Sequence, residues 1–177
     1  MNTKMIHKIT TKTIYKGNIM YRLSAKDQQL VDALRKNTAN TAVFYHQAHG
    51  YHWNIVGSDF QEYHALFETI YSDVYEAIDP MAENCRKAGG LAPFTLKDFL
   101  DLTSLKEREI TNFDWKTLTQ ALYDDNKVVL EDLLELFDIA NEQNEQGIAN
   151  FVAERVDMHQ KWQWQLGASL GKKDVTK

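Results

Sequence analysis

Apolar residues recur at helical spacing in four long stretches of the chain, separated by polar breaks and one longer connection. Leu30, Leu34, Ala42, Val43 and Phe44 set the rhythm of the first stretch, which runs to about Trp53. Ser24 precedes it with Asp27 three residues on, a capping-box spacing that starts a helix. Asn54-Ile55-Val56-Gly57-Ser58 breaks the rhythm, and Ser58 or Asp59 is suited to cap the next helix. That second helix is predicted from about Phe60 to Lys87 and stops at Gly89-Gly90. Residues 91–113 form a connection in which Thr95 to Leu100 reads as a short helix. A third helix is predicted from about Asp114 to Ala140 on Leu118, Leu122, Val129, Leu133, Leu136 and Phe137. After a polar turn at Asn141–Gln146, a fourth runs from about Gly147 to Leu170 on Ile148, Phe151, Val152, Val156, Trp162 and Leu166. Four long amphipathic helices with one long crossover between the second and third describe an all-α four-helix bundle. The bundle is expected over 24–170, with an arm at 1–23 and a short basic tail at 171–177.

Composition narrows the class further. The 177 residues suffice for one domain with a real core. With 8 Gly and 2 Pro, the chain is poor in the residues that an all-β fold needs for its turns. No apolar run approaches the ~20 residues of a membrane-spanning helix, and the N-terminal stretch lacks the apolar core of a secretory signal. Cys85 is the single cysteine, which excludes an intrachain disulfide and fits a reducing, cytoplasmic setting.

Charge divides the chain in two. Lys4, Lys8, Lys12, Lys16, Arg22 and Lys26 precede the first acid, Asp27, so the start of the chain is +6 and the remainder carries −11 of the net −5. Lysines four apart would stack on one helical face and repel each other, and the interleaved Thr and Ile are weak helix formers. The arm is therefore expected to stay extended or disordered until it meets a partner. Lys4, Lys8, Lys12, Lys16 and Arg22 are the candidates for sequence-independent contact with DNA phosphates, and a solubilising tail is the alternative. Acids of the later helices, Asp124, Asp125, Glu131, Asp132, Asp138, Glu142 and Glu145 among them, are candidates for drawing cations inward.

Metal-capable side chains are unevenly placed. His52 ends the first helix, and His64, Glu68, Asp79 and Glu83 fall on one stripe of the second at ~100° per residue. Imidazoles with carboxylates suit iron, zinc or manganese. A carboxylate stripe is equally what a solvated face looks like. Spacing adds a constraint: His64 and Asp79 lie roughly 22 Å apart along a helix, too far for one centre. Positions 64 and 83, like 68 and 79, are symmetric about a point between residues 73 and 74. A second copy crossing antiparallel there would bring His64 and Glu68 opposite the partner's Glu83 and Asp79 and create two equivalent sites. Tyr71, Tyr75 and Ile78 would pack around that axis.

The run His52-Trp53-Asn54-Ile55-Val56-Gly57, then Phe60, His64, Phe67 and Glu68, then Asp79-x-Met81-Ala82-Glu83 and Gly89-Gly90, resembles the signature of the Dps proteins. Asn150-Phe151 and His159-Gln160-Lys161 read like that family's ending, so the resemblance spans about 30–170. It implies a ferritin-like bundle in a hollow homo-dodecamer, with ferroxidase centres across two-fold interfaces. Carried over by position, the iron ligands are His52, His64, Glu68, Asp79 and Glu83, with zinc or manganese as substitutes. The resemblance further implies oxidation of ferrous iron with hydrogen peroxide as preferred oxidant, storage of ferric mineral, and protection of DNA. Trp53 matches the family tryptophan beside the centre, which can supply or absorb an electron; the alternative is a core anchor. Two departures stand out. Pro80 sits inside the second helix, where it removes an amide bond to the carbonyl of Glu76 and favours a kink that would re-aim Asp79. Glu68 stands where many relatives carry Asp. The competing reading is a DNA-compacting shell with an impaired or altered metal site. His46 and His49 are three apart and read either as a secondary metal pair or as hydrogen-bonded residues.

Overall fold

The computed structural model describes residues 23–172, so the arm lysines, Arg22 and most of the basic tail lie outside the described residues. Five helices follow in order: α1 Ala25–Asn54, α2 Phe60–Lys87, α3 Leu96–Leu102, α4 Trp115–Glu142 and α5 Gln146–Ser169. The predicted all-α bundle with a short helix in its crossover is what forms, and the limits agree within two residues almost everywhere.

Local chemistry explains most of the starts. Ser24 accepts from the Asp27 amide while the Asp27 carboxylate accepts from the Ser24 amide, and Thr95 and Asp98 repeat that box at α3. Asp114 caps α4 by accepting from Thr117 N at 2.7 Å. At α2 the expectation of a side-chain cap fails. Asp59 holds the N-cap position, but its carboxylate takes the Ser58 hydroxyl at 2.7 Å and leaves the helix amides to other partners.

The direction of each helix follows from a few contacts. A short turn reverses the chain between α1 and α2. Val56 N donates to Phe113 O, which puts the end of α1 beside the start of α4, and Lys26 Nζ donates to Glu142 O at the opposite end. Thus α1 opposes both α2 and α4, and the crossover must climb the length of the bundle so that α4 can run parallel to α2. Residues 35–43, near the middle of α1, anchor that crossover. Asn40 Oδ1 accepts from Thr103 Oγ1 and Ser104 N, while its amide donates to Asp132 Oδ2 at 2.8 Å. Gly90 is needed for close approach: a Cβ there would meet Val31 Cγ1 at 2.3 Å.

Leu34, Phe44, Phe67, Ile70, Leu118, Leu122, Leu133, Leu136, Trp162 and Leu166 fill the interior. A polar layer crosses it. Asn126 Nδ2 donates to Gln163 Oε1 at 2.7 Å and to His159 O at 2.9 Å, and the His159 ring donates from Nδ1 to Asn126 Oδ1 at 2.7 Å. Arg155 of α5 holds Asp73 of α2 through both nitrogens, at 3.1 and 2.7 Å, and Trp162 Nε1 adds a third donor at 3.4 Å. Buried polar groups are tolerated when partnered in this way.

Pro80 does not interrupt α2, which continues to Lys87. The carbonyl that loses its amide belongs to Glu76, an exposed residue where water can replace the missing donor. Cys85 is fully buried with Thr38 Oγ1 at 3.6 Å, as expected of a small apolar group. Among the described residues no helix is long and apolar enough to cross a membrane.

Candidate metal centre

His52 and His64 meet where α1 ends and α2 begins, with ring centroids 3.6 Å apart and planes at 21°. Each ring bonds the other residue's backbone. His52 Nδ1 lies 2.9 Å from His64 O, and His64 Nδ1 lies 2.8 Å from His52 O. A carbonyl oxygen only accepts, so both Nδ1 atoms must carry the proton. The free lone pair of each neutral imidazole is then on Nε2, the tautomer a metal ion requires, with the ring orientation held by the second bond. The backbone makes this possible because α1 stops here. His52 O is a last-turn carbonyl, and the amide that would normally take it, that of Val56, is turned away to Phe113 O.

Glu68 stands one turn beyond His64 on the same face of α2 and is exposed. Asp79 and Glu83 are also exposed, more than two turns further along. One chain therefore brings the two histidines together and keeps the D-x-x-x-E pair apart from them. Among the described residues of a single chain, no three His, Cys, Asp or Glu side chains converge on a common point.

Trp53 is no core anchor, being 63% exposed. Its ring lies 4.1 Å from that of His49, and His49 is stacked on Tyr71 at 4.0 Å. Tyr71 also meets His52 edge-on at 5.1 Å. The Tyr45 hydroxyl is 3.0 Å from His49 Nδ1. Burial, then the imidazoles of His52 and His46, hold His49 below the usual histidine range. His49 is thus a hydrogen-bonded member of an aromatic group, and His46 beside it is exposed. Sequence reasoning passed over this group, although Tyr45, His49 and Trp53 recur every four residues, a spacing that places them on one face of α1.

Two of the acids considered for cation attraction are committed elsewhere. Asp125 is buried against Arg108, and Asp132 binds Lys36 at 2.7 Å. Lys172, at the root of the basic tail, lies over the Tyr123 ring at 4.1 Å.

Comparison with known proteins follows the same lines. The ferritin-like domain pattern matches residues 31–174. General stress protein 20U of Bacillus subtilis is 33% identical over 144 residues, 81% of this chain and 99% of that protein. A DNA protection during starvation protein of Helicobacter pylori is 27% identical, covering 78% and 96%. A crystal structure of a Dps protein from Vibrio cholerae O1, described as a member of a broad superfamily of ferritin-like diiron-carboxylate proteins, matches with TM-score 0.78 and 29% identity, over 90% of this chain and 99% of that one. A four-helix bundle with a short helix in its crossover, matched along nearly its whole described length, places the chain in the Dps family of ferritin-like proteins.

Proposed function

We propose that the protein is a ferroxidase and iron-storing subunit whose substrate is ferrous iron and whose preferred oxidant is hydrogen peroxide. Each site is shared: His52, His64 and Glu68 come from one copy, Asp79 and Glu83 from a two-fold partner. Twelve copies close into a cytoplasmic shell that keeps ferric mineral away from DNA. The observation that carries this reading is the reciprocal locking of His52 and His64 through Nδ1, which leaves Nε2 free on two rings whose centroids are 3.6 Å apart.

The donor set fits the chemistry. Neutral imidazoles accept ferrous ion without adding charge, and hard carboxylates stabilise the ferric product. Few protein ligands per ion leave positions open for the oxidant. The unbroken course of α2 through Pro80 keeps Asp79 and Glu83 on the helix that carries His64 and Glu68, which favours this reading over a shell with an impaired site.

The test is anaerobic addition of ferrous iron followed by peroxide. Ferric absorbance is expected to grow faster than in a protein-free control, and an equal rate would end the ferroxidase reading. DNA contact is assigned to Lys4, Lys8, Lys12, Lys16 and Arg22, whose charges would be multiplied by the copies in a shell. Removing residues 1–20 is expected to abolish a salt-sensitive gel shift. An unchanged shift would take DNA binding away from the arm.

A further inference from the structure

The turn that carries the histidine half-site is shaped by a segment that supplies no ligand. Along α1 the last helical bond is Ile55 N to Tyr51 O at 3.0 Å, and the next in the series would be Val56 N to His52 O. Ile55, at φ −57° and ψ 140°, turns the chain out of the helix first. Val56 N then donates to Phe113 O at 3.0 Å, and His52 O accepts from His64 Nδ1 at 2.8 Å. A carbonyl can accept twice, so the conflict lies in the length of the turn. Winding Val56 onto α1 would leave only Gly57, Ser58 and Asp59 to reverse the chain. It would also pull Ile55 from the core and shift the start of α2, with His64, off the His52 carbonyl.

The carbonyl of residue 113 is itself held by its neighbours. The Phe113 ring packs against the core, and Asp114 caps α4 by accepting from Thr117 N at 2.7 Å. Trp115 stacks on Tyr63, the residue before His64, with centroids 4.8 Å apart and planes at 18°. The end of the crossover and the start of α4 therefore grip the α1–α2 turn on both sides, at Val56 and at Tyr63.

We propose that Val56 and Phe113 are positioning residues for the metal centre: the bond between their backbones keeps α1 from winding on and so keeps the His52 carbonyl in place for His64. Neither residue touches the metal. They act through the ring orientation and tautomer of His64, which the His52 carbonyl fixes. This role rests on the metal reading above.

Proline supplies the test, because it has no amide hydrogen and its ring excludes a helical carbonyl four residues back. At position 56 that carbonyl is His52 O. Ile55 already has the extended backbone that precedes proline, and the Val56 side chain is 61% exposed. Val56→Pro thus loses the bond to Phe113 and also the competing bond to His52. Zinc is the probe, its dissociation constant measured on full assemblies by competition with a chromophoric chelator, and His52→Ala identifies the site by weakening it. Phe113→Ala loosens the carbonyl and leaves the Val56 amide free to wind on, so zinc affinity is expected to fall about tenfold, as when a group that orients a ligand is lost. Val56→Pro alone is expected to bind zinc as tightly as the unmodified protein while unfolding at lower urea. The double variant Phe113→Ala/Val56→Pro is expected to recover the affinity and yet be the least stable of the set. A merely structural role predicts that the double variant binds zinc most weakly. Asp114→Ala, which removes only the cap of α4, replaces Phe113→Ala in the same comparison if that variant does not assemble. Weakened zinc in Val56→Pro, an unchanged affinity in Phe113→Ala, or a double variant no tighter than Phe113→Ala overturns the positioning role and leaves the metal reading standing. Zinc binding that His52→Ala does not alter ends the metal reading, and the positioning role with it.

Discussion

Assemblies made only of His52→Ala subunits, or only of Asp79→Ala subunits, will oxidise ferrous iron no faster than buffer, yet assemblies refolded from equal amounts of both will recover about one quarter of the normal number of sites. The recovery follows from sharing. In the proposed arrangement, each site of a two-fold pair takes its histidines from one copy and its D-x-x-x-E acids from the other. A mixed pair has one site with both halves damaged and one with both halves intact. About half of randomly formed pairs are mixed, and each has one good site of two. A centre built within one chain predicts no recovery at all. The rate of ferric absorbance, measured beside native mass analysis that confirms mixing, reads the result. Mixed assemblies with no activity would rule out the shared arrangement, whatever the separate variants do. The experiment also weighs Pro80, because an Asp79 displaced from its role would make the Asp79→Ala assemblies almost as active as the unmodified ones.

The periodicity of apolar residues carried most of the fold. Leu30, Leu34 and Phe44 on α1, or Leu118, Leu122 and Leu136 on α4, sit at helical spacing because they face one interior, and their burial follows. Start signals were legible where a side chain and an amide three residues on are the whole mechanism, as at Ser24. They were not legible at Asp59, where a neighbouring hydroxyl competes for the carboxylate. The candidate site was partly readable. Spacing along α2 separates His64 from Asp79 without any structure, since helical rise is fixed. The pairing of His52 with His64 was not readable, because it depends on a last-turn carbonyl of α1 being left free by a contact with residue 113. Asp125 and Asp132 looked like solvated acids for a similar reason. Their partners, Arg108 and Lys36, are distant in sequence, and a charge pattern cannot distinguish a paired carboxylate from a free one. The polar layer of Asn126, His159 and Gln163 hid in the same way.

That layer makes the bundle acid-sensitive. His159 is 1% exposed, and burial, with a smaller contribution from the Arg155 charge, lowers its pKa to about 3. An unfolded chain would take up a proton near the ordinary value of 6.5, while the folded chain cannot until about 3. Between those values the unfolded state binds more protons, so stability is complete above about 6.5 and falls as pH drops towards 3. At about 1.4 kcal/mol per pH unit the upper limit is roughly 5 kcal/mol per subunit, of which about 2 is spent between pH 6.5 and 5. Asp73 works in the same direction at lower pH. Burial alone would raise its carboxyl, but the hydrogen bonds and charge of Arg155 outweigh that and hold it below the usual range. Its contribution is present above the unfolded value of 3.8 and is lost as pH falls through the lower folded one. At neutral pH, Asp73→Ala is expected to cost about 3–5 kcal/mol, because Arg155 would remain buried without a counter-charge. Urea unfolding at pH 7 and pH 5 checks both expectations. His159→Gln should lower stability at pH 7 yet flatten its decline towards pH 5, because glutamine cannot be protonated in either state. His49 also lies below the usual range and contributes with the same sign, so the quantity that decides is the difference in slope between the two proteins. Equal slopes would move the acid sensitivity from His159 to other groups. A lower Asp73→Ala midpoint at both pH values would leave the Arg155 pair as the element that joins α2 to α5.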